Sequence, residues 1–268
     1  VTEKEAGMGQ PREVEVALVV CSATPLAVRE RLAGLGSLPG FGLVGRPALA
    51  IGDTYVDTRD RDLAARGIAL RVRTVAGAAF LTCKAEVRRT AAGAERMELE
   101  GAWSRATLDR VLAELAARGV ELPGPAGSGT RPLETLLGMG LEAVQDRATE
   151  RLPRDVVPDG GGPGDPVAEL AVDAVVYRLP GRQVRLHEVE VEAKGAGDLA
   201  TVAAVAERLR ERFGAALRPW PHGKLATGQA VAALAAAGHL DGLLDPDGTL
   251  RPLAYEVLAA QLAAGPAG

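Results

Sequence analysis

Apolar and polar residues alternate with a period of two along most of this chain, in eight separate runs. EVEVALVV (13–20), IGDTYVDT (51–58), IALRVRT (68–74), AFLTCKAEV (79–87) and ERMELEGAW (95–103) are the first five. LEAVQDRATERL (141–152), ELAVDAVVY (169–177) and RLHEVEVEAK (185–194) complete the set. A period of two places successive side chains on opposite faces, so each run predicts a strand. Gly67, Gly77, Gly93, Gly101 and Gly181 punctuate the runs, as turns and strand ends require.

Helical periodicity falls between and after the strands. TPLAVRERLAGL (24–35) follows the candidate caps Ser22 and Thr24, and SRATLDRVLAELAARG (104–119) opens on Ser104 and ends at Gly119. DLATVAAVAERLRERFG (198–214) has Asp198 as its cap and basic residues in its last turns. Residues 224–264 read as two further Ala/Leu-rich helices, while 121–130 and 158–166 read as loops, the second joining two strands.

The polar faces are unusually consistent. Glu13 and Glu15 share a face, as do Arg71 and Arg73, Thr82 and Lys84, and Glu98 and Glu100. Arg147, Thr149 and Arg151 share another, as do Glu169, Ala171 and Asp173. In 185–194, Glu188, Glu190 and Glu192 form a row that Lys194 continues. Two architectures accommodate this pattern. In one, an open sheet packs its apolar face on helices and leaves the charges in water. In the other, eight strands close into a barrel with the apolar faces outward under helices and the charged faces lining the interior. Charges segregate by strand, some wholly acidic and others basic, which favours the barrel.

Carboxylates about 7 Å apart along one strand face repel one another. A divalent cation carrying an anionic substrate would relieve that repulsion, and converging Arg and Lys side chains would neutralise phosphate oxygens.

Composition narrows the classes. At 268 residues the chain holds one large domain or two small ones. Aromatics are only 3%, so the core must be built from Leu, Val and Ala. A formal net charge of −4 argues against a generic nucleic-acid binder. Cys21 and Cys83 form no CxxC pair and no zinc spacing, which suits a reducing compartment. With neither a signal-type nor a membrane-spanning apolar stretch in the sequence, the expectation is a soluble cytoplasmic protein.

Other chemistries find little support. GMGLEAV (138–144) lacks the strand–turn–helix context of a dinucleotide site, and no Walker lysine motif occurs. Cys83 alternates to the apolar face and is not expected to be a nucleophile. His187, His222 and His239 read as packing or surface residues, and Trp103 and Trp220 as core or rim packing.

EVEV (13–16), YVDTRDRDLAARGIALRVRT (55–74), LTCK (81–84), ERMELE (95–100), ELAVD (169–173), HEVEVEAKG (187–195) and GKLATG (223–228) stand in an order that resembles the CYTH domain, the triphosphate tunnel metalloenzymes. The resemblance spans almost the whole chain and implies an α+β fold. Its eight-stranded antiparallel β-barrel would have helices packed outside, as a single tunnel domain over 1–268 with a core at about 11–230 and C-terminal helices in 224–264. It implies a triphosphate-bearing substrate, Mg²⁺ or Mn²⁺, and hydrolysis of inorganic triphosphate or a similar small triphosphate. Class IV-type adenylyl cyclisation is a same-fold alternative. No nucleic-acid or membrane partner is implied; the oligomeric state stays open, a homodimer included.

Carried over residue by residue, Glu13 and Glu15 match the opening of the family's Glu-x-Glu-x-Lys signature, and the lysine falls on Ala17. The missing lysine keeps a further alternative open, a module that binds triphosphate, polyphosphate or a nucleotide without turnover. Arg71, Arg73, Lys84, Arg147 and Arg151 match basic triphosphate-binding positions, and Lys224 a late lysine that closes over the tunnel. The resemblance implies metal-ligating roles for Glu13, Glu15, Glu98, Glu100, Asp173, Glu188, Glu190 and Glu192, and catalytic roles for Glu13, Glu15 and Lys194.

Overall fold

The computed structural model describes residues 12–90, 93–124, 129–162 and 164–264, with side chains for all of these except 12–13, 86–90 and 93–96. All eight alternating runs form strands: β1 (Arg12–Val20), β4 (Leu49–Thr58), β5 (Ile68–Val75), β6 (Ala78–Thr90), β7 (Gly93–Ala102), β8 (Leu141–Pro158), β9 (Ala168–Leu179) and β10 (Arg182–Ala193). Each pairs antiparallel with two neighbours, in the cycle β4–β5–β6–β7–β1–β10–β9–β8 and back to β4. The β8–β9 ladder, from Asp146↔Arg178 to Val156↔Ala168, closes the barrel and excludes the open-sheet alternative.

The apolar faces point outward and are buried under helices. Helices α1 (Pro25–Ala33) and α5 (Leu199–Phe213) cover Leu18, Leu170, Val172, Val189 and Val191. Helices α3 (Arg105–Ala117) and α4 (Pro132–Gly138) cover Leu70, Val72, Leu81 and Cys83. Each such aliphatic side chain removed from water contributes about 1.5–3 kcal/mol, so the outer layers hold the barrel while its inner wall remains polar. Helices α6 (Lys224–Ala236) and α7 (Pro252–Ala264) share a third buried cluster with Val19, Val175, Tyr177 and Trp220. Val19 and Val175 lie two residues beyond Ala17 and Asp173 on the inward rows, so apolar side chains fill that end of the barrel.

Two of the expected caps form as read. Ser104 Oγ accepts from Thr107 N at 3.1 Å, and Asp198 Oδ1 from Thr201 N at 2.8 Å. The third does not: Thr24 is the N-cap of α1 but makes no side-chain capping bond, and Ser22 Oγ instead accepts from Thr24 N.

Several elements carry no alternation or helical period to announce them. The short strands β2 (Ser37–Leu38) and β3 (Phe41–Gly45) extend the sheet beside β4, with β3 pairing the last residues of β8. This is why β8 runs to Pro158 rather than stopping near 152. Helix α2 (Asp62–Ala65) forms because the Asp57 carboxylate accepts from Thr58 N, Leu63 N and Ala64 N. Strand β11 (Leu217–Pro219) adds to β1. The loop at 158–166 does join two strands; part of the one at 121–130 lies outside the described residues. Among the described residues no helix is long and apolar enough to cross a membrane.

Candidate functional site

The barrel interior is a cavity of about 730 Å³. Its wall includes Glu15, Arg71, Arg73, Lys84, Glu98, Glu100, Arg147, Arg151, Glu190, Glu192, Lys194 and Lys224. These side chains come from six of the eight barrel strands, from Lys194 just past the end of β10, and from α6. Asp173 and Glu188 lie against the same site, buried and in contact with Lys224. The side chain of Glu13 lies outside the described residues; its backbone is in β1, in register with Arg96.

At one pole, three arginines surround one carboxylate. Asp53 is 1% exposed and accepts from Arg73 Nε at 2.8 Å and Arg73 Nη2 at 3.2 Å. Arg147 also donates to it, and Arg71 Nε lies 3.5 Å away. Tyr55 Oη accepts from Arg71 Nη1 at 3.1 Å and Arg147 Nη2 at 3.2 Å. Burial alone would raise the Asp53 carboxyl, but Arg71, Arg147 and Arg73 hold it well below the usual carboxylate range. Burial would likewise raise Tyr55, and the same Arg147 and Arg71 bring it down to about 8. Glu100 closes this pole, accepting from Thr82 Oγ1 at 2.6 Å and lying 3.8 Å from Arg71.

At the other pole, three carboxylates surround two cations. Asp173, Glu188 and Glu190 each offer an oxygen within 4.8 Å of the others, a grouping that suits a divalent ion. Lys224 Nζ lies among them, 2.5 Å from Glu190 Oε1 and 3.3 Å from Asp173 Oδ2, and also pairs with Glu188. Arg151 Nη2 reaches Glu190 Oε2 at 2.6 Å and Asp173 Oδ2 at 2.7 Å. Burial, with Glu190 and Asp173 alongside, pushes Glu188 up to about 7 against the pull of Lys224. Elsewhere on the wall, Lys84 pairs with Glu98 at 3.2 Å and Lys194 with Glu192 at 2.5 Å.

The sequence reading gave no role to Asp53 or Tyr55. A signal existed: Ile51, Asp53 and Tyr55 occupy one face of the fourth strand, and an aspartate on that face opposite arginine-bearing strands is a natural counter-ion. The residues set aside do not line this cavity. Burial pushes the Cys83 thiol up to about 12 within the apolar cluster under α3. His187 sits on the outward face of β10, its ring buried and pushed down to about 4 by desolvation. His239 is exposed. Trp220 is buried and donates to Thr227 Oγ1 at 2.9 Å, while Trp103 donates to Gly129 O at 3.0 Å.

Comparison with solved structures agrees with this architecture. A candidate adenylyl cyclase from Hippeastrum, described by its dominant triphosphatase activity, is similar at a TM-score of 0.55 and 16% identity. The match covers 82% of this chain and 96% of that one. A candidate adenylate cyclase from Bacillus halodurans is similar at a TM-score of 0.46 and 17% identity, covering 80% of this chain and 96% of that one. At 16% identity the first of these likenesses concerns the fold alone. No curated protein matches the sequence significantly. The CYTH domain profile matches residues 28–215, well over half of the chain. The closed barrel with its charged interior and the extent of that match together make the chain a member of the CYTH domain family.

Proposed function

We propose that the tunnel binds a small triphosphate, inorganic triphosphate first among them, and hydrolyses it with Mg²⁺ or Mn²⁺. The observation that carries this reading is the convergence of Arg71, Arg73, Lys84, Arg147 and Arg151 on one cavity faced by carboxylates. A triphosphate carries about four negative charges near neutral pH. Arg forks take phosphate oxygens in pairs, and Lys84 adds a point charge. Asp53 orders the three arginines of its pole without cancelling them.

Hard carboxylate oxygens on the cavity wall suit a hard divalent cation. Glu15, Glu98, Glu100, Glu190 and Glu192 face the cavity and would hold it; Asp173 and Glu188 would support them. A bound ion supplies charge neutralisation on phosphate oxygens and activation of water. To Glu13, Glu15 and Lys194 we assign the placement of the attacking water. Where the wall buries its charges, as at Arg71 and Arg147, their interactions are stronger than in open water.

Phosphate release from inorganic triphosphate, ATP and thiamine triphosphate, with Mg²⁺ or Mn²⁺, tests the reading against a Glu190→Gln/Glu192→Gln control. Release above the control, strongest for one substrate, supports hydrolysis. Pyrophosphate release with a cyclic product assigns a cyclase instead. Binding in calorimetry with no turnover assigns a carrier or sensor, a reading that Ala17 in place of the signature lysine favours.

A further inference from the structure

The outward face of the barrel is not uniform. On β9 and β10 it carries Leu170, Val172, Val189 and Val191 under α1 and α5. Further along β9 the same face holds Ala174 and Val176, and the rows continue through Ala148 on β8 to Gly52 and Ala50 on β4. Here the surface opens: Ala50 is exposed, and Gly52, Ala148, Ala174 and Val176 are half-buried. These small residues floor a groove of about 550 Å³, within the size range of ligand sites. Leu26, one of the few large apolar side chains left exposed, borders it from α1.

Two polar side chains in the wall of this groove lack the partners that burial demands. His187 lies on β10 in register with Ala174 and is 1% exposed. Neither of its ring nitrogens has a hydrogen-bond partner among the described residues. Arg29 reaches the groove from α1. Its Nη2 lies 3.1 Å from Glu150 Oε1 but outside hydrogen-bond geometry, so the buried Nη2 and Nε both keep unused N–H groups. A guanidinium only donates, and an imidazole carries at least one N–H whatever its charge. What satisfies both is an acceptor, and a charged acceptor makes the stronger bonds.

The surrounding charge agrees. Arg178 and Arg185 also line the groove, paired at its edge with Asp146 at 3.1 Å and Asp247 at 3.5 Å. Arg185 lies two residues from His187 and therefore on the same face of β10. Among the described residues that line the groove, Glu150 is the one carboxylate, against three arginines. Its side chain is 60% exposed, so it can turn into water and release Arg29.

We propose that this groove is a second ligand site, separate from the tunnel, for a small planar organic anion. Its carboxylate or phosphate oxygens accept from Arg29 and His187, and its ring lies on Val176, Ala148 and Gly52. A floor of small side chains on a sheet is flat and apolar, and a flat apolar body covers it without moving the strands. The site is independent of the reaction in the tunnel, because successive residues of the same strands serve opposite faces.

The imidazole ¹⁵N signals of the folded protein test this in the absence of metal. The chain has three histidines, and His222→Gln and His239→Gln assign two of them, so the His187 signal is identified with the groove intact. The probes are benzoate and phenyl phosphate. For ligands of about ten non-hydrogen atoms, a saturable shift of the His187 signal with a Kd of about 1 mM is expected, and the tighter probe names the head group. Arg29→Met should raise that Kd about tenfold. Ala148→Leu, which fills the floor and leaves both donors in place, should raise it by a similar factor. Arg71→Met, which alters the tunnel, should leave it unchanged. No saturable shift with either probe overturns the inference. A Kd unmoved by Arg29→Met also overturns it, as does one raised equally by Arg71→Met, which would place the probe in the tunnel. If Arg29→Met fails to fold, Ala148→Leu decides, and a Kd equal to that of the wild type overturns the inference.

Discussion

The two poles of the tunnel are built from the same residue types in opposite proportions. Around Asp53, with Glu100 at the edge of the group, two carboxylates meet Arg71, Arg73 and Arg147, leaving a surplus of one positive charge. Around Lys224 and Arg151, two cations meet Asp173, Glu188 and Glu190, leaving a surplus of one negative charge. Both poles are buried, and in both the minority charge fixes the geometry of the majority. The difference lies in what remains unneutralised: one pole is poised for an anion and the other for a cation or a proton. On the proposed function, a phosphate-bearing substrate and a hard metal ion would complete both at once.

Removing the minority charge of the first pole should have the largest effect. Asp53→Ala leaves three arginines crowded in a dry wall and is expected to cost about 3–5 kcal/mol in denaturant unfolding. Asp53 also gives the fold a pH dependence whose sign is fixed. Its folded pKa is depressed, so its stabilisation is full above the unfolded carboxylate range and is lost as pH falls through and below that range. The acid limb of a stability–pH curve should flatten in a folded Asp53→Asn variant.

Removing one majority charge should act on binding more than on folding. Arg71→Met is expected to weaken triphosphate binding by about 1.5–3 kcal/mol, the range of a hydrogen bond to a charged group, read by calorimetry. Glu190→Gln should spare that binding yet abolish most metal-dependent turnover, so the pair of variants separates an anion pole from a cation pole.

The smallest effect isolates Tyr55. Its phenol is brought to about 8, while burial raises Tyr177 and Tyr255, the chain's other two tyrosines. Phenolate absorbance of the folded protein should show one titration near pH 8 that disappears in Tyr55→Phe. The native state should gain stability from this group as pH rises from about 8 toward the unfolded value near 10. Loss of the hydroxyl should cost only about 1 kcal/mol.

Much of this architecture is legible in the chain because the strand period is two. Glu188, Glu190 and Glu192 on β10, or Arg71 and Arg73 on β5, share a face by backbone geometry alone, whatever those strands pack against. The glycine-bounded runs and the Ser104 and Asp198 caps are local signals of the same kind. Elements without local periodicity, such as α2 on the Asp57 carboxylate or β3 against the end of β8, depend on partners elsewhere in the fold. They were not legible for that reason.

The sequence by itself determined which side chains share a face, that the polar faces are charged strand by strand, and that no lysine stands at position 17. Only the tertiary structure decided which face turns inward and which charges meet. Asp53 finds Arg147 across 94 residues, and Lys224 arrives on a helix that follows the last barrel strand. Closing the sheet converts a local alternation into an interior, and a buried carboxylate then takes whichever cation the packing brings to it. No local pattern encodes that choice, because an ion pair depends on distance in space and not along the chain.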